Sequence, residues 1–462
     1  MIEIVPIDTP SLGDRGYLVT DGSAALVIDP QRDIDRITSL AAERRLRITD
    51  VFETHIHNDY ITGGLALARE AGAAYHVNAA DPVSFDRSPI IGGDVIESGS
   101  MRIRAIATPG HTFTHLSYAV AEVGRDSSQA GQVIAVCTGG SMLNGATGRT
   151  DLLGPQHRVE LAKAQHGSVR RLAAELPGTA LVCPTHGFGS FCSATPTTGT
   201  SSTISAEIKV NPALVKDEAD FVETTLAGLD AYPAYYAQMA PANATGPLAP
   251  VLEPPRQVAS GELRRRIGAG EWVVDLRSRI AFAAGHLRGA LQFELGDSMV
   301  TYLGWLMPWG TPLTLIGETA ADVAAAQREL VRIGIDKLEA AACGAPPCWA
   351  AGEQLAGYQV TDFAGYAVAR GHRELVLLDV RRDSEWKSAR IGGAVHIPLH
   401  ELPGRLADVP DGEVWVHCHS GYRASVAASL LDAVGRQVVL IDDDFLSAQS
   451  SGLASQGVVP AY

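Results

Sequence analysis

Short apolar segments alternate with turns and amphipathic stretches along the first 190 residues. Apolar runs predict β-strands at residues 16–19, 25–28, 102–106 and 133–136, because each run is short and bounded by turn-forming residues. Apolar side chains at helical spacing predict helices over residues 33–45 and 159–175. Strands and helices that are mixed over this length predict a layered α/β domain.

Two polar or proline-rich segments interrupt this pattern. Residues 193–205 are rich in Ser, Thr, Pro and Gly, which predicts a surface loop or linker. Residues 241–255 contain five prolines, and the first domain, assigned to residues 1–245, is expected to end there.

The remainder of the chain contains an internal repeat. Residues 273–277 (VVDLR) match residues 377–381 (LLDVR), and strands predicted at 313–316 and 414–417 are each followed by a helix. We therefore predict two copies of one α/β fold, at residues 246–352 and 353–462. The second copy has Cys418 and Arg423 where the first has Gly317 and Asp322, so only the second copy carries a nucleophile.

Composition narrows the function class. The chain has 462 residues, enough for about three domains. It has 37 Lys and Arg against 52 Asp and Glu, a net charge of −15, which disfavours nucleic acid as a partner. No apolar run is long enough to span a membrane, and the first residues lack a signal sequence, so a cytoplasmic location is expected. Six cysteines in so long a chain predict chemical rather than disulfide roles.

The strongest motif is a cysteine loop near the carboxyl terminus. Residues 413–417 predict a strand, residues 418–421 (CHSG) a polar loop, and the Ala- and Leu-rich segment that follows a helix. Backbone N–H groups in such a loop, together with the helix N-terminus, form an anion cradle that favours a thiolate. Arg423 adds positive charge, so Cys418 is predicted to attack an anionic sulfur donor and to hold a persulfide. A buried structural cysteine is the alternative.

This loop and its flanking motifs resemble the rhodanese family of sulfurtransferases. The resemblance lies in residues 377–381, 391–398 and 418–423, over about 105 residues. It implies that Cys418 and Arg423 are catalytic and that Ser420, Gly421 and Tyr422 contact the substrate. Four residues between the Cys and the Arg favour a sulfur substrate over phosphate. Residues 442–445 (DDDF) replace a segment that is usually glycine-rich. The first copy resembles a rhodanese fold without its nucleophile and is expected to be structural or to serve domain contacts.

Histidines in the first domain form a second set of candidate residues. His55 and His57 follow a predicted strand, and His111 also follows one, in a Pro-Gly-His-Thr sequence with His115 four residues on. His186 lies in a Pro-Thr-His-Gly-Phe-Gly sequence. Neutral imidazole is a common ligand for zinc and iron. Each histidine alone is more often structural, but the ordered set of glycine-flanked loops predicts a metal site.

The set resembles the metallo-β-lactamase superfamily, and within it the persulfide dioxygenases that are fused to rhodanese domains. The resemblance lies in residues 54–60, 108–118, 148–152 and 186–192 and, with the domain order, covers nearly the whole chain. It implies an αββα sandwich followed by two rhodanese-like α/β domains. It also implies a single Fe(II), held by two histidines and one aspartate, that serves the oxidation of a thiol persulfide to sulfite with O₂. Carried over by position, the histidine ligands are His55 and His111.

The third ligand departs from the family pattern. Gly140 stands where the family has aspartate, and Tyr60 replaces the last histidine of the first motif. His57 is therefore predicted to complete a three-histidine site for iron or zinc, with Asp59 and His186 as additional candidates. Tyr60 either packs beside the helix or ligates as phenolate. Without the bridging aspartate a two-metal hydrolase of the glyoxalase II type is disfavoured, whereas a single-metal enzyme of another activity and a metal-free domain that binds thiols both stay open.

Two further residues of this domain are candidates for substrate binding. Arg149 follows a glycine turn and could bind a substrate carboxylate in bidentate fashion; the alternative is a salt bridge to Asp151. Cys192 lies six residues beyond His186 and either contacts the substrate or is structural.

The leading hypothesis is a sulfur-handling enzyme. Cys418 transfers sulfane sulfur, from a donor such as thiosulfate, and the metal domain oxidises a low-molecular-weight thiol persulfide. The alternative is a rhodanese whose first domain is a non-catalytic scaffold, which Gly140 and Tyr60 favour. Neither hypothesis involves nucleic acid or a membrane, and both are compatible with a homo-oligomer.

Overall fold

The computed structural model describes residues 1–123, 130–352 and 354–456. They form two compact units. The first comprises Met1–Val251 with Val331–Gly334, and the second comprises Leu252–Leu330 with Ile335–Tyr462. The first unit therefore extends a few residues beyond the predicted boundary at residue 245.

The first unit contains strands and helices in mixed order. The strands are β1 (Glu3–Thr9), β2 (Asp14–Thr20), β3 (Ala24–Ile28), β4 (Arg47–Phe52), β5 (Ala74–Asn78), β6 (Ser88–Ile90), β7 (Val95–Ser98), β8 (Met101–Ala107), β9 (Leu116–Val123), β10 (Ala130–Gly139), β11 (Met142–Leu143), β12 (Ala146–Thr147), β13 (Leu181–Pro184) and β14 (Ser202–Thr203). The helices are α1 (Asp35–Glu43), α2 (Gly64–Ala71), α3 (Arg158–Glu175), α4 (Ile204–Val210), α5 (Pro212–Val215), α6 (Glu218–Gly228) and α7 (Tyr236–Thr245).

Two six-stranded sheets of this unit pack face to face. Their strand orders are β1-β2-β3-β4-β5-β6 and β14-β13-β10-β9-β8-β7. Alternation along β2 sends Val19 into the core between the sheets and Leu18 onto the outer face, where α1 and α2 pack. Helices α3 to α6 cover the outer face of the second sheet through residues such as Leu172 and Phe221. The αββα sandwich expected from the sequence is confirmed.

One sequence-based boundary differs from the structure. Pro241 was assigned to the break between domains, but it lies inside α7, which belongs to the first unit. The side chain of Asn243, two residues later in the same helix, is 1% exposed. Its Nδ2 donates to the carbonyl oxygens of His57 at 2.9 Å and Tyr60 at 2.8 Å, and its Oδ1 accepts from the Thr62 N–H at 2.9 Å. These bonds attach α7 to the histidine loop, a tertiary contact that proline content does not reveal.

The second unit contains mainly parallel strands and short helices. The strands are β15 (Trp272–Asp275), β16 (Leu291–Gln292), β17 (Leu313–Gly317), β18 (Ala340–Cys343), β19 (Gln359–Thr361), β20 (Val376–Asp379), β21 (Ala389–Ile391), β22 (Val395–His396), β23 (Val414–His417), β24 (Val438–Ile441) and β25 (Ala454–Gln456). The helices are α8 (Ser260–Gly268), α9 (Arg279–Ala284), α10 (Met299–Leu306), α11 (Ala320–Arg332), α12 (Pro346–Ala350), α13 (Phe363–Ala369), α14 (Asp383–Ser388), α15 (Tyr422–Ala433) and α16 (Phe445–Ser450), with 3₁₀ turns at Leu402–Gly404 and Leu406–Asp408.

The two halves of this unit share one topology. The first half has a parallel sheet in the order β16-β15-β17-β18, and the second half has β22-β20-β23-β24 with β19 added at the edge. A buried ion pair follows the central strand in both halves. Nη2 of Arg277 lies 2.6 Å from Asp275 Oδ2, and Nη2 of Arg381 lies 2.6 Å from Asp379 Oδ2. The repeat in the sequence is thus a repeat in structure, although both copies fall within one compact unit.

No helix among the described residues is both long and apolar enough to cross a membrane.

Candidate metal centre and cysteine loop

Three buried histidines from separate loops converge in the first unit. They are His55 after β4, His111 after β8 and His186 after β13, and each is at most 1% exposed. One ring nitrogen from each lies within 4.8 Å of the others. Since the loops follow different strands, the sandwich itself brings these side chains together.

The hydrogen bonds of His55 determine which of its nitrogens is free. The hydroxyl of Thr54 donates to Asp29 Oδ2 at 2.7 Å, so its oxygen accepts from the Nδ1–H of His55 at 2.9 Å. The Nε2 of His55 therefore carries a lone pair rather than a proton. An outer carboxylate that orients a histidine in this way is typical of metal ligands.

In His111 and His186, as in His55, Nδ1 is bonded to a neighbour and Nε2 is the nitrogen that faces the cluster. The Nδ1–H of His111 donates to the carbonyl oxygen of Arg149 at 2.8 Å, and its buried Nε2 has no hydrogen-bond partner among the described residues. Nδ1 of His186 lies 2.9 Å from Asp14 Oδ1 and 3.0 Å from Asp59 Oδ2. Burial lowers the pKa of His186, but Asp59 and Asp14 outweigh it and raise this pKa well above its usual value. The two carboxylates therefore stabilise positive charge at this point.

The spacing of the Nε2 atoms fits a cation, which would take the place of the proton that the raised pKa of His186 leaves on its Nε2. Nε2 of His55 and Nε2 of His186 are 3.4 Å apart. Two nitrogens bound to one tetrahedral cation at about 2.0–2.1 Å are about 3.3 Å apart. The donor set, three imidazoles without thiolate, suits zinc or iron.

His57, predicted as the third ligand, has other partners. Its Nε2 lies 2.9 Å from the Tyr60 hydroxyl and 3.2 Å from both Asp29 Oδ1 and Glu53 Oε2. Burial lowers its pKa, but Asp29 and Glu53 raise it to about 9. Its Nδ1 has no hydrogen-bond partner among the described residues. The structure thus groups His186 with His55 and His111, and it groups His57 with Asp59 and His186 or with Asp29 and Glu53; the full ligand set stays a prediction.

Tyr60 takes the position of the missing family histidine. It is completely buried, and burial together with Asp29 and Glu53 raises the pKa of its hydroxyl well above the usual value. The hydroxyl therefore stays protonated and bonds His57, which favours the packing role over a phenolate ligand.

Gly140 leaves no space for the family's aspartate. A Cβ at this position would lie 2.3 Å from Cδ2 and 2.6 Å from Cγ of His111. Gly148, whose N–H donates to the Gly140 carbonyl oxygen at 3.0 Å, packs against the same ring, since a Cβ there would lie 2.8 Å from Nδ1. The imidazole of His111 thus contacts two glycine backbones, so the loss of the aspartate and the placement of this ring go together.

Gly140→Ala is expected to lower the metal content and the free energy of unfolding. The added methyl group must displace the His111 ring, and such overpacking costs about 1–3 kcal/mol. Gly167→Ala is the matched control, because Gly167 lies in α3 and a Cβ there would meet nothing within 4 Å. Metal per chain and chemical denaturation measure both effects. A Gly140→Ala protein with full metal content and wild-type stability would contradict the packing described for His111.

The guanidinium of Arg149 is buried and hydrogen-bonded to other residues of the first unit. Its side chain is 3% exposed, and Nε lies 2.7 Å and Nη2 2.9 Å from the oxygens of Asp151. Its Nη1 and Nη2 also donate to the carbonyl oxygens of Phe191 and Asp230. The salt bridge to Asp151 that we considered as the alternative is present, and a role in binding substrate stays a prediction.

Cys192 is buried beside the histidine cluster. It is completely buried, and its Sγ lies 3.8 Å from the hydroxyl of Tyr236. Burial and the carboxylates of Asp59 and Asp14 raise the pKa of this thiol well above its usual value. Cys192 is therefore a neutral thiol at physiological pH, close to the carboxylate that also contacts His186.

Cys418 lies at the carboxyl end of a parallel sheet. It follows β23 directly, it is 2% exposed, and α15 begins four residues later at Tyr422. Ligands of open α/β sheets bind at this edge. Gly421 closes the loop with φ +88°, a conformation that favours glycine. Ser420 is exposed and Tyr422 partly buried, with its hydroxyl unpaired among the described residues.

Arg423 forms an ion pair with Glu385, which lies outside the Cys418 loop. Nη1 lies 2.5 Å from Glu385 Oε2, and Nη2 lies 2.8 Å from Oε1. Burial raises the pKa of Glu385, but the hydrogen bonds and charge of Arg423 outweigh it and lower this pKa to about 2. Glu385, which sequence reasoning missed, therefore orients the guanidinium and neutralises part of its charge.

Glu385→Gln is expected to reduce the free energy of unfolding by about 1–3 kcal/mol near neutral pH, because a buried guanidinium loses its charged acceptor. The pKa of Glu385 is about 2 in the folded protein, against an ordinary 4.5. The pair therefore stabilises the fold above about pH 4.5, and this stabilisation is lost as the pH falls toward 2. Denaturation of both proteins from pH 8 to 3 measures this.

The control is Glu401→Gln, whose partner Arg405 is 42% exposed at the side chain. It should cost at most about 1 kcal/mol. A stability difference for Glu385→Gln that grows as the pH falls would contradict the assignment.

Two family models match the chain. The metallo-beta-lactamase superfamily matches residues 16–124, and the rhodanese-like domain matches residues 366–450. The second match covers the Cys418 loop, and the first covers His55, His57 and His111.

The chain is also similar to individual known proteins. Human mitochondrial persulfide dioxygenase ETHE1 is 30% identical over 214 residues, which cover 46% of this chain and 73% of that protein. A hydroxyacylglutathione hydrolase of Acidiphilium cryptum is 33% identical over 178 residues, 38% of this chain and 65% of that protein. The crystal structure of a metallo-beta-lactamase from Staphylococcus aureus superposes with a TM-score of 0.65 and 25% identity, covering 74% of this chain and 98% of that one.

The chain belongs to the metallo-β-lactamase superfamily. Within it, the chain is a homologue of the persulfide dioxygenase ETHE1 and carries a rhodanese-like domain.

Proposed function

We propose that the chain is an enzyme of sulfur metabolism that transfers sulfane sulfur through Cys418 and oxidises a low-molecular-weight thiol persulfide at the histidine cluster. The observation that carries the first activity is the placement of Cys418 between β23 and α15, where loop N–H groups and a helix N-terminus meet. The second activity rests on the three convergent Nε2 atoms and on the homology to ETHE1.

Sulfur transfer at Cys418 follows from the loop's charge distribution. With thiosulfate as donor, the Cys418 thiolate attacks the sulfane sulfur, the S–S bond of the donor breaks, and sulfite leaves with the bonding electron pair. Cys418 then carries a persulfide. The loop N–H groups and the helix N-terminus stabilise the anionic sulfur. An acceptor thiolate attacks the outer sulfur and regenerates the Cys418 thiolate.

His55, His111 and His186 would hold a single metal, with Asp59 beside them. When bound, iron would supply the activation of O₂. Overall, RS–SH, O₂ and H₂O give RSH and sulfurous acid; the outer sulfur loses four electrons to O₂, and the S–S bond breaks. Thr54 and the Arg149 carbonyl fix the tautomers of His55 and His111, while Asp14 and Asp59 supply negative charge around His186.

The packing around Gly140 supports one metal rather than two. A bridging carboxylate has no space there, and Tyr60 supplies no imidazole. Two-metal hydrolysis needs such a bridge between its ions. Similarity to hydroxyacylglutathione hydrolases therefore supports the shared fold more than a shared reaction.

A rhodanese with a metal-free first domain is the second candidate. The observation that favours it is again Gly140, together with a His57 that Asp29 and Glu53 hold as a cation. In this case the first unit would only bind a thiol.

Oxygen consumption separates the two candidates. We would express the full chain in iron-supplemented medium, measure iron and zinc per chain, and follow O₂ uptake on glutathione persulfide. About one iron per chain with O₂ uptake and sulfite release supports the dioxygenase. Bound iron without O₂ uptake rejects it, and less than about a tenth of a metal per chain favours the scaffold.

A further inference from the structure

A residue of the first half of the second unit lies against the cysteine loop of the second half. Arg279 begins α9, in the copy that lacks a nucleophile. Its Nε lies 2.7 Å from Asp442 Oδ1, and its Nη1 lies 2.8 Å from Glu294 Oε2. Asp442 directly follows β24, the strand that pairs with β23. The two copies therefore meet through an ion pair next to the loop.

This ion pair touches the loop at its last residue. A Cβ at Gly421 would lie 1.8 Å from Asp442 Oδ1 and 3.1 Å from Arg279 Nε. The carboxylate and the guanidinium thus both pack directly on Gly421, which precedes the first turn of α15. The side chains of Asp442 and Arg279 are 18% and 27% exposed, so water screens them only in part.

Asp442 is electrostatically unfavourable for an anion site. The loop N–H groups and the N-terminus of α15 attract negative charge, and a carboxylate against Gly421 repels the same anions. Arg279 compensates this charge at 2.7 Å. The compensation comes from the other copy, because Arg279 and Asp442 are separated by 163 residues.

Polar contacts hold α15 and the first copy in one arrangement. The Gln292 N–H donates to Ser429 Oγ at 3.0 Å, and the hydroxyl of Ser425 donates to Gln292 Oε1 at 2.8 Å. Nε2 of His286 lies 3.1 Å from Asp432 Oδ2. Ser425, Ser429 and Asp432 follow one face of α15, so the helix that begins at the loop is attached to the first copy along its length.

We propose that Arg279 is a positioning residue that sets the affinity of the Cys418 loop for anionic sulfur donors, by neutralising Asp442 beside Gly421. This rests on the proposed sulfurtransferase function. The copy without a nucleophile thereby affects sulfur transfer through the charge of Arg279, in addition to its packing against α15. Arg279 contacts neither Cys418 nor the donor in this role.

The test compares Arg279→Ala, Asp442→Asn and the double variant in thiosulfate-to-cyanide transfer. Arg279→Ala is expected to raise KM for thiosulfate about tenfold while kcat changes less than about twofold, because only anion binding loses its compensation. Asp442→Asn should lower KM about twofold to threefold. The double variant should return within about twofold of the wild type, since Asp442, the carboxylate that packs on Gly421, is neutral in it; Glu294, the other partner of Arg279, keeps its charge.

A merely structural role predicts a different pattern. If Arg279 only supports the fold, the double variant keeps the KM of Arg279→Ala or exceeds it, and the proposal is overturned. An unchanged KM in Arg279→Ala overturns it as well. Arg265→Ala is the matched control, because Arg265 lies in the same copy and its side chain is 57% exposed; it should leave KM unchanged.

A measurement of thiosulfate binding tests the role of Arg279 separately from the proposed sulfur transfer. The same substitutions are combined with Cys418→Ser, and calorimetry measures thiosulfate affinity without turnover. Tenfold weaker binding with Arg279→Ala that Asp442→Asn reverses supports the proposal even if the wild type transfers no sulfur to cyanide. Equal or absent binding in all four proteins overturns it, whatever the activity of the wild type.

Discussion

Cys418→Ser is expected to reduce sulfur transfer from thiosulfate to cyanide at least about a thousandfold. A serine hydroxyl is not ionised at neutral pH and is a weak nucleophile, so the persulfide does not form. The loop accommodates the smaller oxygen, and the fold should persist because the surrounding strand and helix are unchanged. The measurement is thiocyanate formation by the purified full chain, with circular dichroism to verify folding.

Cys348→Ser is the control for this variant. Cys348 is an exposed thiol of the first copy and lies within the short helix α12. Its replacement should leave transfer within about twofold of the wild type. Full activity in Cys418→Ser, or a loss of activity in Cys348→Ser, would show that another thiol performs the transfer.

His186→Ala is expected to reduce the metal content from about one ion per chain to less than about a tenth. Removing one of three convergent lone pairs leaves two neutral ligands, and such a site binds a divalent cation weakly. The same loss is expected for His55→Ala and His111→Ala. Metal analysis of the gel-filtered full chain, after expression in supplemented medium, measures this directly.

The comparison with His57→Gln decides between the two ligand sets. If His57 is the third ligand, as its spacing from His55 predicts, His57→Gln loses the metal and His186→Ala keeps it. The ring nitrogens of His55, His111 and His186, which lie within 4.8 Å of one another, lead us to expect the opposite result. His166→Ala is the control, because His166 lies in α3 and its Nε2 lies 3.2 Å from the Lys216 carbonyl oxygen, away from the cluster.

Local motifs were sufficient for much of the fold and for the cysteine loop. Apolar periodicity correctly predicts four strands and two helices of the first unit, namely β2, β3, β8, β10, α1 and α3. The reason is that a strand or helix that buries one face has apolar residues at the spacing of that face. The Cys418 loop was predictable since the strand, loop and helix are contiguous in the chain. Pro241 was misassigned because proline content does not reveal that Asn243, in the same helix, bonds residues about 180 positions away.

The partners of individual side chains were not predictable in the same way. Glu385 reaches Arg423 across 38 residues, and Arg279 reaches Asp442 across 163. Glu385 and Asp442 do not share a sequence motif with the arginines that they bind. Asp29 offers only a weak signal in the sequence, an acidic residue directly after a buried strand.

The sequence by itself determined that this chain combines a histidine-rich sandwich domain with a repeated α/β fold, of which one copy has a nucleophile. Those features depend on periodicity and on short contiguous motifs. Only the tertiary structure brings one ring nitrogen each of His55, His111 and His186 within 4.8 Å of the others, because the three loops that carry them follow strands far apart in the chain. It also decided that the copy without a nucleophile places the charge of Arg279 beside Gly421 of the cysteine loop, since that contact depends on the packing of two folds.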